Sequence, residues 1–146
     1  MEKIYFTFES ANAMLPYLQD RLTLVQEIKS EMEEIMAQLE KKGVDLDLLF
    51  SAEHLPEEQQ QIRQRLEDLG DQINDILEDI QDKGILVKDL QMGLVDFFAK
   101  VDGRDVFLCW KLGESEVAFW HDIDSGYSGR KSLFTREILE EVTTVH

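Results

Sequence analysis

Apolar side chains recur through the first half of the chain at the period of a helix. Leu15, Leu18, Leu22, Val25, Ile28, Met32, Ile35 and Leu39 follow one another at steps of three and four, which a turn of about 3.6 residues gathers onto one face. Thr7 precedes the run as an N-cap, with Glu9 in the first turn, where the helix dipole favours an anion. Pro16 either kinks this helix or starts a second one after a short first segment. Gly43 is a natural C-terminal cap. Pro56 opens the next helix, where Ile62, Leu66, Leu69, Ile73, Ile76 and Ile80 alternate steps of four and three between charged and amide residues. So narrow a stripe is a coiled-coil seam. Two long helices joined by residues 43–55 therefore form an antiparallel hairpin, with Leu48, Leu49 and Phe50 tucked against its tip or a partner.

After Gly84 the period shortens to that of strands. Asp102-Gly103 is a strong two-residue hairpin signal. A turn there pairs Val101 with Arg104, Ala99 with Val106, Phe97 with Leu108 and Val95 with Trp110 on one nearly apolar face. The other face pairs Lys100 with Asp105, Phe98 with Phe107, Asp96 with Cys109 and Leu94 with Lys111. An ion pair beside an aromatic pair is internally consistent. Residues 112–115 make a second turn, 116–121 a third strand, Gly126 and Gly129 a loop, and residues 135–142 a short helix. The expected class is α+β, in a single domain over residues 1–146. Residues 1–82 form the helical hairpin, and residues 83–146 a three-stranded antiparallel meander with a C-terminal helix.

Charge narrows the partners. The net charge is −16, and residues 1–82 carry 20 acidic and 7 basic side chains against 11 and 8 in the remainder. That field repels phosphate backbones and anionic lipid, so neither nucleic acid nor a membrane is an expected partner. Cys109 is the single cysteine, which rules out an intramolecular disulfide and fits a reducing compartment. No apolar run approaches the ~18–20 residues of a membrane span, and the amino terminus lacks a secretory apolar core. A cytoplasmic location is expected.

Candidate chemistry concentrates in Trp120-His121-Asp122-Ile123-Asp124-Ser125-Gly126-Tyr127-Ser128-Gly129-Arg130. Together with Gly93-Leu94-Val95-Asp96-Phe97, Leu108-Cys109-Trp110-Lys111-Leu112-Gly113-Glu114 and the opening Phe6-Thr7-Phe8-Glu9-Ser10-Ala11-Asn12-Ala13-Met14-Leu15-Pro16, this segment resembles the bacterial domain-of-unknown-function family numbered 2203. The chain departs from that pattern at Phe98, where the family has proline, and at Asp122, where glutamate is usual. The resemblance implies no reaction.

The residues themselves offer several readings. His121, Asp122 and Asp124 are candidate metal ligands, since imidazole and carboxylate suit several divalent ions. Their spacing matches no well-known site, and the plain alternative is a histidine satisfied by a hydrogen bond within a sheet. Cys109 with His121 is a conceivable nucleophilic pair, against a packed, inert core thiol. Gly126, Gly129 and Arg130 could cradle an anion, against a tight turn whose arginine pairs with Asp122, Asp124 or Asp96. Trp120 is the better pocket wall, and Trp110 the better core residue.

Two functions follow. One is a non-enzymatic interaction or self-associating module, a homodimer through its helices, because Leu24, Met36 and Leu46 lie off the first seam as surplus apolar surface. The other is a small-ligand, anion or metal site, or a catalytic domain, centred on Trp120, His121, Asp122, Gly126, Gly129 and Arg130. Beyond a divalent metal, no cofactor is implied. Whether the chain is an enzyme stays open at the level of sequence.

Overall fold

The computed structural model describes residues 3–134, so the helix expected over residues 135–142 lies outside the described residues. Helices α1 (Phe8–Ala13), α2 (Leu15–Lys41), α3 (Leu46–Ser51) and α4 (Glu57–Asp82) precede a five-stranded antiparallel sheet. The chain is thus α+β, a helical hairpin followed by a sheet. Thr7 caps α1 reciprocally: its hydroxyl accepts from the Ser10 N–H at 3.0 Å, and the Ser10 hydroxyl accepts from the Thr7 N–H at 2.9 Å. Met14 ends this short helix, and Pro16 stands second in α2, where a missing N–H costs no intrahelical bond. Of the two outcomes open for Pro16, the start of a second helix is the one realised.

Two compact units emerge, one from the chain up to Leu22 together with the chain from Leu77, the other from Thr23 to Ile76. Within the second, Leu39, Leu49 and Leu66 are buried together, and Met32, Met36, Leu46 and Ile62 pack against them. Met36 and Leu46, surplus by sequence spacing, are therefore used inside the unit. Arg63 of α4 donates to the carbonyls of Ala52 at 2.8 Å and Leu49 at 3.4 Å, tying the connection to the helix. Of the three apolar residues expected at the tip, only Leu49 is tucked in. Leu48 and Phe50 are 61% and 49% exposed, because one turn of α3 can aim only one of three consecutive side chains inward.

In the first unit the strands are β1 (Ile85–Asp89), β2 (Leu94–Val101), β3 (Arg104–Lys111), β4 (Phe119–Asp122) and β5 (Lys131–Ser132), each paired with its neighbour in sequence. The β2–β3 register is the expected one at all eight pairs, from Leu94↔Lys111 to Val101↔Arg104. Asp102 (φ 52°) and Gly103 (φ 74°) make the two-residue turn. The meander has five strands rather than three, since β1 pairs with β2 and β5 with β4. The third expected strand is shorter than 116–121. The Val117 N–H goes to the Asn12 side chain at 2.8 Å instead of to the ladder.

Alternation sorts the sheet into two faces. Val95, Phe97, Ala99, Val106, Leu108, Trp110 and Trp120 share one and are buried. Asp96, Phe98, Phe107, Cys109, Phe119 and His121 share the other. No helix among the described residues is long and apolar enough to cross a membrane.

Candidate metal centre

Three polar side chains on adjacent strands converge on that second face. Cys109 of β3 stands opposite Asp96 of β2, and β4 sets His121 opposite Phe107, diagonal to Cys109. The residues are 2%, 0% and 2% exposed for Asp96, Cys109 and His121. One ligating atom from each lies within 4.8 Å of the other two.

Hydrogen-bond accounting fixes the imidazole. His121 Nδ1 lies 2.8 Å from the Asp122 carbonyl oxygen, and Nε2 lies 3.0 Å from Asp96 Oδ1. A carbonyl can only accept, so Nδ1 carries the ring proton. A neutral imidazole then has a lone pair, not a proton, facing the carboxylate. Two acceptors face each other unless a proton or a cation sits between them. Burial, reinforced by the charge of Asp96 and a hydrogen bond to it, pushes the Cys109 thiol up to about 12. The Cys109–His121 nucleophilic reading requires a thiol that ionises readily, and a buried thiol held that high does not.

Beside this cluster stands an ion pair of limited exposure. Arg130 Nη2 donates to both oxygens of Glu114, at 2.7 and 2.9 Å. Glu114 is itself held by the Lys111 N–H at 2.8 Å, and its carbonyl accepts from the Trp110 indole at 3.0 Å. The Arg130 guanidinium lies 3.9 Å from the Phe119 ring centroid and 4.8 Å from that of Tyr127. Its Nε is buried and makes no hydrogen bond. The expected arginine partners Asp122, Asp124 and Asp96 are replaced by Glu114, because the turn after β3 brings that carboxylate to the end of the sheet where Arg130 enters β5.

The sequence-defined segment is divided by the pleat. Trp120 and Asp122 project from the face opposite His121. There Asp122 pairs with Arg104 at 2.8 Å and Lys131 at 3.3 Å, and Lys131 Nζ lies 4.6 Å from the Trp120 ring centroid. Asp124 is exposed. Gly126 has φ 68°, and a Cβ on Gly129 would meet the Ser125 Cβ at 2.7 Å. The N–H groups of Gly129 and Arg130 are consumed by the carbonyls of Gly126 and Tyr127, at 3.0 and 3.1 Å. Those two amides are not available to an anion. His121 and Arg130 do share a face: Phe119, two residues before His121 on β4, carries the guanidinium over its ring.

Sequence spacing offers Cys109 only as a nucleophile beside His121 and Asp96 only as a partner for Arg130, neither as a metal ligand, although the pairing of the two is readable from the hairpin. Placing His121 beside them needs the β3–β4 register, for which the turn at 112–115 gives no two-residue signal.

A family model described as Uncharacterized conserved protein (DUF2203) matches residues 4–133. No curated protein matches the chain, and no solved structure does.

Proposed function

The chain belongs to the family of uncharacterized conserved proteins DUF2203, and from its geometry we propose that it binds one divalent first-row transition ion between Asp96, Cys109 and His121. The observation that carries this reading is the convergence of three buried side chains, one ligating atom of each lying within 4.8 Å of the other two. His121 Nδ1 is held by the Asp122 carbonyl, which leaves Nε2 for the ion beside the Asp96 carboxylate and the Cys109 sulfur. A carbonyl that holds the second ring nitrogen is the usual outer support of a ligating histidine. Bonds of about 2.0–2.3 Å at right-angled to tetrahedral geometry set neighbouring donors roughly 2.9–3.6 Å apart. The 3.0 Å between Nε2 and Oδ1 already suits that spacing.

A thiolate in the set disfavours magnesium and calcium and suits zinc, cobalt, nickel or ferrous iron. Three protein ligands leave a fourth position open, the arrangement of reactive rather than purely structural zinc sites. A reducing cytoplasm would keep Cys109 able to ligate. Titration of the reduced protein with Co(II) tests the reading. One equivalent is expected to bind, with a thiolate-to-cobalt charge-transfer band that Cys109→Ser removes and His121→Ala weakens. Absence of binding by the wild-type protein would reject it.

Self-association through the hairpin is the second reading, favoured by the exposure of Leu48 and Phe50 at the tip. A second copy covering them predicts the mass of two chains by light scattering, reduced by Phe50→Ser. The mass of one chain at every concentration counts against it.

A further inference from the structure

Arg130 is a buried cation with an unused donor beside the proposed metal. Its side chain is 10% exposed, and its Nη2 alone serves both oxygens of Glu114. The buried Nε makes no hydrogen bond. The guanidinium carbon lies 3.9 Å from the ring centroid of Phe119, whose strand partner is Cys109, and the positive charge of Arg130 favours the Cys109 thiolate. Arg130, Phe119, Cys109 and His121 therefore occupy one face of the sheet.

From this we infer that Arg130 and the open metal position together bind an oxyanion, the carboxylate or phosphate group of a small molecule. The inference rests on the metal reading above. Its charge balance is simple. A divalent ion with Asp96, the Cys109 thiolate and neutral His121 carries no net charge, and Arg130 is offset by Glu114. An entering anion therefore meets a neutral centre flanked by an N–H donor, rather than a second layer of negative charge. One oxygen fills the vacant coordination position while another accepts a charge-assisted hydrogen bond from Nε–H. Glu114 positions the guanidinium: anchored by the Lys111 N–H, it occupies Nη2 and leaves Nε–H without a partner. The Glu114 side chain is 25% exposed, whereas Asp96, Cys109 and His121 are 2% exposed or less. Elsewhere the chain, at −16, repels anions. The site is thus selective by position, because a small anion gains only where the buried cation and the metal meet.

The test uses the full chain loaded with Co(II), its visible bands reading the fourth ligand. Inorganic phosphate is titrated in one arm and acetate in the other. A saturable spectral change is expected in at least one arm: phosphate alone assigns a phosphoryl group, acetate alone a carboxylate, and both an unselective oxyanion site. Arg130→Gln is expected to retain the thiolate-to-cobalt band while its affinity for the anion falls at least tenfold. Should that variant fail to fold, Arg130→Lys keeps a charge for Glu114 but has no Nε–H, and the same loss is expected. Bands indifferent to both anions in the loaded wild type would overturn the inference while leaving the metal reading intact. So would a responding variant of wild-type affinity. Failure to take up cobalt at all removes both, and is recognised by the missing thiolate band before any anion is added.

Discussion

His121 and Asp96, 25 residues apart in sequence and brought onto one sheet face by the strands, meet at 3.0 Å with their ring nitrogen and carboxylate oxygen both buried. Neither atom can donate to the other if the imidazole is neutral and the acid ionised. Three states resolve the contact: a histidinium ion paired with the carboxylate, a carboxylic acid donating to Nε2, or a cation shared by both. Each of the three places a positive centre or a proton between the facing atoms. The third also recruits the Cys109 sulfur.

That competition gives the metal affinity a sign with pH. Cys109, held up at about 12, is a thiol at neutral pH and must release its proton to ligate. Any proton resident between His121 and Asp96 leaves as well. Metal uptake near pH 7 is therefore expected to acidify a weakly buffered solution by one to two protons per ion. Apparent affinity should rise about tenfold per pH unit for each proton released. Calorimetry in buffers of different ionisation enthalpy measures the number, and a count of zero excludes thiolate ligation.

Without metal, the same thiol should weaken the fold at high pH. Its value in the folded protein lies above its ordinary 9.0, so the stability it contributes is complete below pH ~9 and fades as pH climbs toward about 12. Asp105 acts in the opposite sense. Lys100 and Lys3 hydrogen-bond its carboxylate and hold it far below 3.8, so its contribution is present above that pH and fades as acid protonates it. Asp105→Asn is expected to lower the melting temperature at pH 7 and to converge on wild type at low pH, whereas Cys109→Ala converges from the alkaline side. Denaturation curves across pH check both, and a mutant offset constant with pH counts against the assignment.

Much of this scaffold is legible in the sequence because short-range chemistry sets it. Thr7, Pro16, Gly43 and Pro56 punctuate the helices, and Asp102-Gly103 fixes eight strand pairs, Asp96 with Cys109 among them. The site was only half legible. Residue type singles out His121, but its neighbours in sequence, Trp120 and Asp122, point to the other face by the same alternation that makes the strand. Its true neighbours come from β2 and β3 across a register that the 112–115 turn does not announce. Glu114 is not legible for a related reason: its value lies in a contact with Arg130, sixteen residues on, that needs β5 beside β4.

The helical seam predicts a contrast between two leucines. Leu69 of α4 is 2% exposed, so Leu69→Ala should cost about 2–5 kcal/mol through lost burial and a residual cavity. Leu48 of α3, more than half exposed, should lose no more than about 0.5 kcal/mol when truncated. Chemical denaturation of the two variants checks this, and equal costs would mean that the seam is misaligned.

The hairpin turn offers a test of backbone conformation alone. Gly103 has φ 74°, and a Cβ built on it meets nothing within 4 Å. Whatever a larger side chain costs there is therefore not a clash with neighbours. L-residues resist the left-handed region by roughly 1–2 kcal/mol, and a β-branched one resists it most. Gly103→Val should lower stability by at least that amount, while Gly103→Asn, whose short amide tolerates this conformation, should lose less. The same turn sets the register that puts Asp96 opposite Cys109, and a slip of one residue would send one of them to the other face. The strands themselves resist such a slip, because Phe97 of β2, or Leu108 and Trp110 of β3, would leave its packed face with it. Gly103→Val is thus expected to melt earlier yet bind Co(II) with unchanged stoichiometry and an unchanged thiolate band. Valine and asparagine variants of equal stability would show that the strain lies outside the turn, and loss of the band would show that the turn alone holds the register.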